Sequence, residues 1–149
     1  MADAWKDADR EGVPAFNKAP VIRVRAMPAD TNPAGDVFGG WVLAQMDAAG
    51  AMTAGRRTQG RVVTVGIEAM SFHAPVLVGD ELNCYGRVTR VGRTSVSVGI
   101  EAWVRRYLTD EPHKVTEGVF TYVAINAQRK PRPSDTWGWH RDDEHSDWA

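Results

Sequence analysis

The sequence predicts an α+β domain in which an antiparallel sheet wraps around one long central helix. Three observations predict it. One helical segment opens at "GGWVLAQMDAAGAM" and is followed by four consecutive strand-like segments. Strands that follow one another in this way pair antiparallel and take the helix on one face. The helix is apolar nearly all round, since between Trp41 and Met52 only Gln45 and Asp47 are polar. Such a helix is buried on several sides, which a curving sheet or a second subunit's helix would achieve. Finally, 149 residues with 43% hydrophobic and 25% charged content suit one soluble domain with a real core.

The elements follow in order. Residues 1–19 read as a flexible arm with Pro14 and little periodicity. "VIRVRAM", from Val21 to Met27, alternates apolar and basic residues and predicts a strand. "PADTNPAGD" is dense in turn formers. The helix is expected from about Gly40 to Thr58, with Arg56 and Arg57 complementing the dipole in its last turn. After Gly60 the composition turns to β-branched residues in "RVVTVGIEAMSF". "APVLVGDE" is a connection, "LNCYGRVTRV" a strand, and Gly92-Arg93 a tight turn. "TSVSVGIEAWVRRY" alternates most cleanly, with Val96, Val98, Ile100, Ala102 and Val104 on one face. "LTDEPHK" is a loop and "VTEGVFTYVAIN" the last strand. The folded domain is therefore expected over 20–133. An acidic tail follows over 134–149, with Trp137, Trp139 and Trp148 as possible anchors.

Charge and cysteine content narrow the function classes. A net charge of −1 gives no electrostatic case for a nucleic-acid partner. The acidic residues Asp135, Asp142, Asp143, Glu144 and Asp147 concentrate in the tail, which leaves the body mildly basic and suited to an anionic small ligand. Cys84 is the single cysteine, so no intrachain disulfide forms. The first residues carry no hydrophobic signal core and no run reaches bilayer length, so a cytoplasmic location and no membrane partner are expected. His73, His113, His140 and His145 have no metal-ligand spacing.

The candidate chemistry lies around the helix. Asp47 stands between Met46 and Ala48 in an apolar run. An ionised carboxylate in such a place must be paired, hydrogen-bonded or altered in pKa, conditions common at functional sites. It could equally be a partly exposed Asp bonded to a neighbour. Gly39 and Gly40 leave the backbone bare at a helix start, where N–H groups lack internal partners and favour a developing negative charge. They could also serve only the turn into the helix. Asn32, in "DTNPAGD", reads as an Asn-Pro turn initiator. Its amide could instead hold a water or a carbonyl without adding charge.

"MPADTNPAGDVFGGWVLAQMDAAG", "GRVVTVGIEAMSFHAPVLVGDELNCYGRVTRVGRTSVSV" and "VFTYVAIN" together resemble the hotdog-fold acyl-CoA thioesterases, especially the small bacterial YciA-type branch. The match runs from about Val21 to Pro133. The resemblance implies a long helix wrapped by an antiparallel sheet, sheets of two protomers paired edge to edge, and dimers assembling into a hexamer. It implies hydrolysis of acyl-CoA to a free acid and CoA, with no cofactor and no metal, CoA being part of substrate and product. By the same resemblance Asp47 is the catalytic acid residue, as general base or nucleophile. Asn32 orients water or carbonyl across the dimer interface, and Gly40 or its neighbour supplies the oxyanion N–H. Gly39 and Trp41 are expected beside the substrate. Arg90, Arg93, Thr94 and Ser95, around the turn "RVGRTS", are expected near the pantetheine and phosphates. Where many hotdog enzymes carry histidine before the glycine pair, this chain has Phe38, which argues against a hydratase or dehydratase. A second class of reading is a non-catalytic acyl-CoA binding or sensor module on the same fold. Such regulators usually carry a DNA-binding segment, for which the first 20 residues are too short and polar.

Overall fold

The computed structural model describes residues 19–134 apart from 69 and 110, so the arm before residue 19 and the tail after Ser134, with its three tryptophans, lie outside the described residues. The elements run β1 (Ile22–Arg25), α1 (Gly39–Thr58), β2 (Val62–Ile67), β3 (Glu81–Val91), β4 (Ser95–Arg105) and β5 (Pro112–Ala124). A single 3-10 turn, Pro28–Asp30, precedes α1. The β-α-β-β-β-β order is the one the sequence implies. Most strand ends shift by one or two residues, and two boundaries differ by more. β2 ends at Ile67, so Met70 to Phe72 form an irregular segment rather than the end of a strand. β5 begins at Pro112, because its N–H-less residue sits at the first strand position, where no ladder donor is needed.

The five strands form one antiparallel sheet in the order β1-β3-β4-β5-β2. β4 is central, paired with β3 from Ser95's neighbour Val96 to Arg105 and with β5 over Ser95 to Arg105. Val96, Val98, Ile100, Ala102 and Val104 are all fully buried against α1, as their alternation requires. The opposite face of β4 is also covered at its middle. Glu101 is 0% exposed and accepts a hydrogen bond from Trp103 Nε1 at 2.8 Å. Small residues along α1 let the sheet approach closely. Gly50 stands where a side chain would meet Tyr122 and Ile100, and Gly86 of β3 where one would meet Thr53.

The described residues do not cover the helix on every side. Val42, Met46, Ala49, Gly50 and Ala54 are buried towards the sheet, whereas Ala44, Ala48 and Met52, spaced four residues apart, remain exposed. The all-round apolar pattern of the sequence predicts burial on this flank too, and no described residue covers it. At the far end Gln59 adopts the left-handed conformation that closes the helix. Arg132 then folds back to donate to Thr58 O at 3.0 Å and Ile125 O at 3.0 Å.

Cys84 is wholly buried on β3, and burial pushes its thiol up to about 12. Native protein should therefore not react with a thiol reagent at neutral pH, and one equivalent should appear on unfolding. Labelling of the native fold at the unfolded rate would contradict this. The linkage has a definite sign. Below pH 9, the ordinary value, the thiol is protonated in folded and unfolded chains alike. Above it the unfolded chain loses the proton first, so this group lowers stability as pH rises towards 12.

Candidate active site

Asp47 lies in the middle of α1, partly buried, on the flank nearest the β2 edge of the sheet. Its Oδ1 accepts a hydrogen bond from Thr64 Oγ1 of β2 at 2.7 Å. The phenol of Tyr122 on β5 lies 3.0 Å from the same oxygen and 2.9 Å from the Asp47 main-chain O, a bifurcated donor. Thr64 and Tyr122 are direct neighbours in the β2–β5 register, so one rung of the sheet supplies both hydroxyls. Among the described residues no donor reaches Oδ2. The acid in the apolar helix is thus half satisfied and half open.

Tyr122 is fully buried, and burial raises its pKa well above the ordinary phenol range, with the adjoining Asp47 charge and their hydrogen bond adding to it. It remains a donor throughout the working pH range. Neither Tyr122 nor Thr64 stands out in the sequence as a site residue. The one local signal is Gly50, an interior helix glycine three residues beyond Asp47, which gives the phenol room beneath the helix.

Gly39 and Gly40 open α1, with Phe38 as the extended residue before them. The first helix-type bonds go from the Trp41 and Val42 N–H groups to Phe38 O, so the Gly39 and Gly40 N–H groups precede the ladder, on residues that are exposed. Nothing lies within 4 Å of the position a Gly40 side chain would take. An apolar cavity of about 300 Å³ adjoins this helix end, lined by Val37, Gly39, Val42, Phe72, Val76 and Val115. Trp41 packs half-buried against the core, and Met46 is wholly inside it. Phe72 is 47% exposed at the cavity.

Asn32 occupies the loop before the helix, and its side chain performs the turn role that composition suggested. Its Oδ1 accepts from the N–H groups of Ala34 at 2.9 Å and Asp36 at 3.0 Å. That fixes the amide plane, and among the described residues Nδ2 has no hydrogen-bond partner. No hydrogen bond joins Asn32 to Asp47 within the chain.

The "RVGRTS" turn lies away from the helix N-terminus. Gly92 N–H donates to Ser95 O at 2.7 Å, closing the turn, and Ser134 donates to Arg93 O and, through its hydroxyl, to Gly92 O. Thr94 O receives Ala124 N–H at 2.8 Å. The turn therefore sits with residues 132–134 near the C-terminal end of α1. Arg90 and Arg93 are exposed there, and Thr94 and Ser95 half-buried. Among the described residues no group of three His, Cys, Asp or Glu side chains is placed to hold a metal, and no helix is long and apolar enough to cross a membrane.

The sequence and fold match known proteins closely. Residues 34–106 match the Thioesterase superfamily model. The Acyl-CoA thioester hydrolase YciA of Salmonella typhimurium is 48% identical over 121 residues, covering 79% of this chain and 91% of that protein. The hexameric thioesterase y2039 from Yersinia pestis superposes with a TM-score of 0.75 at 48% identity, over 78% of this chain and 95% of the other. Cj0915, a hexameric hotdog fold thioesterase of Campylobacter jejuni, does so with a TM-score of 0.73 at 40% identity, over 78% and 90%. The chain belongs to the hotdog-fold acyl-CoA thioesterases of the YciA type, within the thioesterase superfamily.

Proposed function

We propose that the chain hydrolyses acyl-CoA to a free carboxylic acid and CoA, with Asp47 as general base. The observation that carries this reading is the Asp47 carboxylate, held through Oδ1 and open at Oδ2 on the flank of the helix. A water oxygen attacks the thioester carbon while its proton passes to Asp47. The tetrahedral oxyanion is stabilised by a backbone N–H at Gly40. On collapse the C–S bond breaks, and the proton held by Asp47 goes to the departing CoA sulfur. Water is thereby divided between the acid and the thiol, and no cofactor enters.

The geometry of one helix favours a shared site. Gly40 and Asp47 are seven residues apart, which puts them on the same helix face but about 10 Å apart along the axis. A base that activates water and a donor that binds the carbonyl oxygen must both lie within about 3 Å of their targets. One chain's pair is too widely spaced for a single carbonyl. Two antiparallel helices solve the problem, one chain contributing Asn32 and Gly40 and the other Asp47. Exposed Ala44, Ala48 and Met52 on α1, together with Val65 at 58% and Ile67 at 46% exposure on the edge strand β2, are the surface that such pairing covers. The apolar cavity beside Gly39 then takes an apolar part of the substrate. Arg90 and Arg93 remain the cations proposed for the CoA phosphates. A trimer of such dimers is the assembly in keeping with the hexameric neighbours.

The test is a panel of acyl-CoA esters of increasing chain length, read by released thiol. Because Cys84 is buried and silent, the signal reports CoA alone. Thiol release well above the spontaneous rate is expected. Binding of acyl-CoA without release, or hydration of an enoyl-CoA with the thioester intact, would overturn the assignment.

A further inference from the structure

We propose that Thr64 and Tyr122 are positioning residues for Asp47, pinning its Oδ1 so that Oδ2 is the oxygen that takes the proton from the attacking water. This rests on the reading of Asp47 as the general base.

Two hydroxyls on neighbouring strands converge on one carboxylate oxygen. Thr64 Oγ1 approaches from β2 at 2.7 Å and Tyr122 from β5 at 3.0 Å. An ionised carboxylate has about four acceptor sites, two on each oxygen. Both sites of Oδ1 are therefore taken, while among the described residues those of Oδ2 are open. The more heavily hydrogen-bonded oxygen is the weaker proton acceptor, so the geometry distinguishes two atoms that are chemically equivalent in free aspartate.

Tyr122 also bonds the Asp47 main-chain O at 2.9 Å. One phenol thereby fixes the backbone and the side chain of the same residue, which limits rotation about the Asp47 side-chain bonds. A bifurcated bond from Tyr122 is the looser of the two contacts, and Thr64 the closer. The phenol can stand there because residue 50 is glycine, whose absent side chain would otherwise meet Tyr122 Cζ at 2.8 Å. Thr64 is followed by a register shift between Thr64 and Gly66, so its rung with Tyr122 is the last before the strand changes alignment.

The test uses the full chain and five variants: Thr64→Val, Thr64→Ser, Tyr122→Phe, the Thr64→Val/Tyr122→Phe pair, and Asp47→Asn as reference. Thr64→Val keeps the shape and removes the donor, and should lower kcat about tenfold with KM unchanged within about twofold. Thr64→Ser restores the hydroxyl and should recover kcat to near the wild-type value. Tyr122→Phe should lower kcat about threefold, and the pair about 100-fold. A pair variant with wild-type kcat, alongside an inactive Asp47→Asn, would overturn the positioning role and leave the base intact. Equal losses in Thr64→Ser and Thr64→Val, or a change in KM alone, would also overturn it. Wild-type activity in Asp47→Asn would remove the base and the positioning role together. Thr64 lies on an exposed edge strand, so its two variants decide the matter even where Tyr122→Phe fails to fold.

Discussion

Asp47→Asn should fold and assemble like the wild type and release thiol from acyl-CoA about 100- to 10,000-fold more slowly. The substitution is nearly isosteric. An asparagine carbonyl oxygen can still accept from Thr64 and Tyr122 in the position of Oδ1, which places the amide nitrogen where Oδ2 was. That nitrogen donates hydrogen bonds and cannot take a proton from water. The loss should therefore appear in kcat, with KM much less affected, because substrate binding does not need the acid. Steady-state kinetics on one acyl-CoA, with circular dichroism and size-exclusion profiles as controls, make the check. Turnover at the wild-type rate would remove Asp47 from the chemistry.

Gly50→Ala should destabilise the fold by about 2 kcal/mol and depress activity as well. Two effects compete. Alanine is the better helix former by about 1 kcal/mol. Against this, the new methyl group would stand 2.7 Å from Ile100 Cδ1 and 2.8 Å from Tyr122 Cζ, and closer still to the Tyr122 hydroxyl. The Ile100 methyl can turn aside, but the Tyr122 ring is rigid, buried and held by its hydrogen bonds to Asp47, and overpacking of this kind costs about 1–3 kcal/mol. Displacing the phenol also weakens its bond to a charged acceptor, worth about 1.5–3 kcal/mol. Packing outweighs propensity. Adding Tyr122→Phe to Gly50→Ala removes the closest clash and should recover part of the stability. Chemical denaturation at one fixed protein concentration measures both, since an oligomer's stability depends on concentration. A Gly50→Ala chain as stable as the wild type would contradict the packing described.

Much of the fold can be read from the chain because its local signals agree with one another. The apolar helix with Gly-Gly at its head and Arg56-Arg57 at its tail, and the strict alternation of β4, each point to the same architecture. Strand ends were less legible. "RVVTVGIEAMSF" is rich in β-branched residues, but after Ile67 the chain leaves the ladder, linked to β5 by bonds from Glu68 N–H to Val119 O, from His73 N–H to Val115 O and from Thr116 Oγ1 to Ser71 O. Composition does not record where a partner strand stops. Asp47 was visible as a charge out of pattern, and Asn32 as a residue before a helix. Their surroundings were not visible. Tyr122 lies 75 residues from Asp47 and Thr64 lies 17, and on a strand an inward Tyr looks like any other core aromatic. Only the helix glycine that accommodates it left a trace. At Asn32 the turn reading is the one seen within the chain, since its carbonyl oxygen accepts from the Ala34 and Asp36 N–H groups.

Among the described residues the sheet has two unpaired edges, and they differ in character. β1 carries Arg23 and Arg25 on one side, Arg23 donating to Asn83 Oδ1 and Arg25 to Gly79 O while stacking over the Tyr107 ring. β2 instead presents exposed Val65 and Ile67. An edge guarded by arginines repels a neighbouring strand of its own kind, whereas an apolar edge accepts one. In the proposed pairing through β2, both apolar edges would be consumed, and the outer limits of the combined ten-strand sheet would be β1 at each end. The sheet then has no third attachment point. Under the proposed pairing the sheet itself stops at two copies by the chemistry of its margins, any larger assembly must form through other surfaces, and a chain that adheres to itself avoids becoming a fibre.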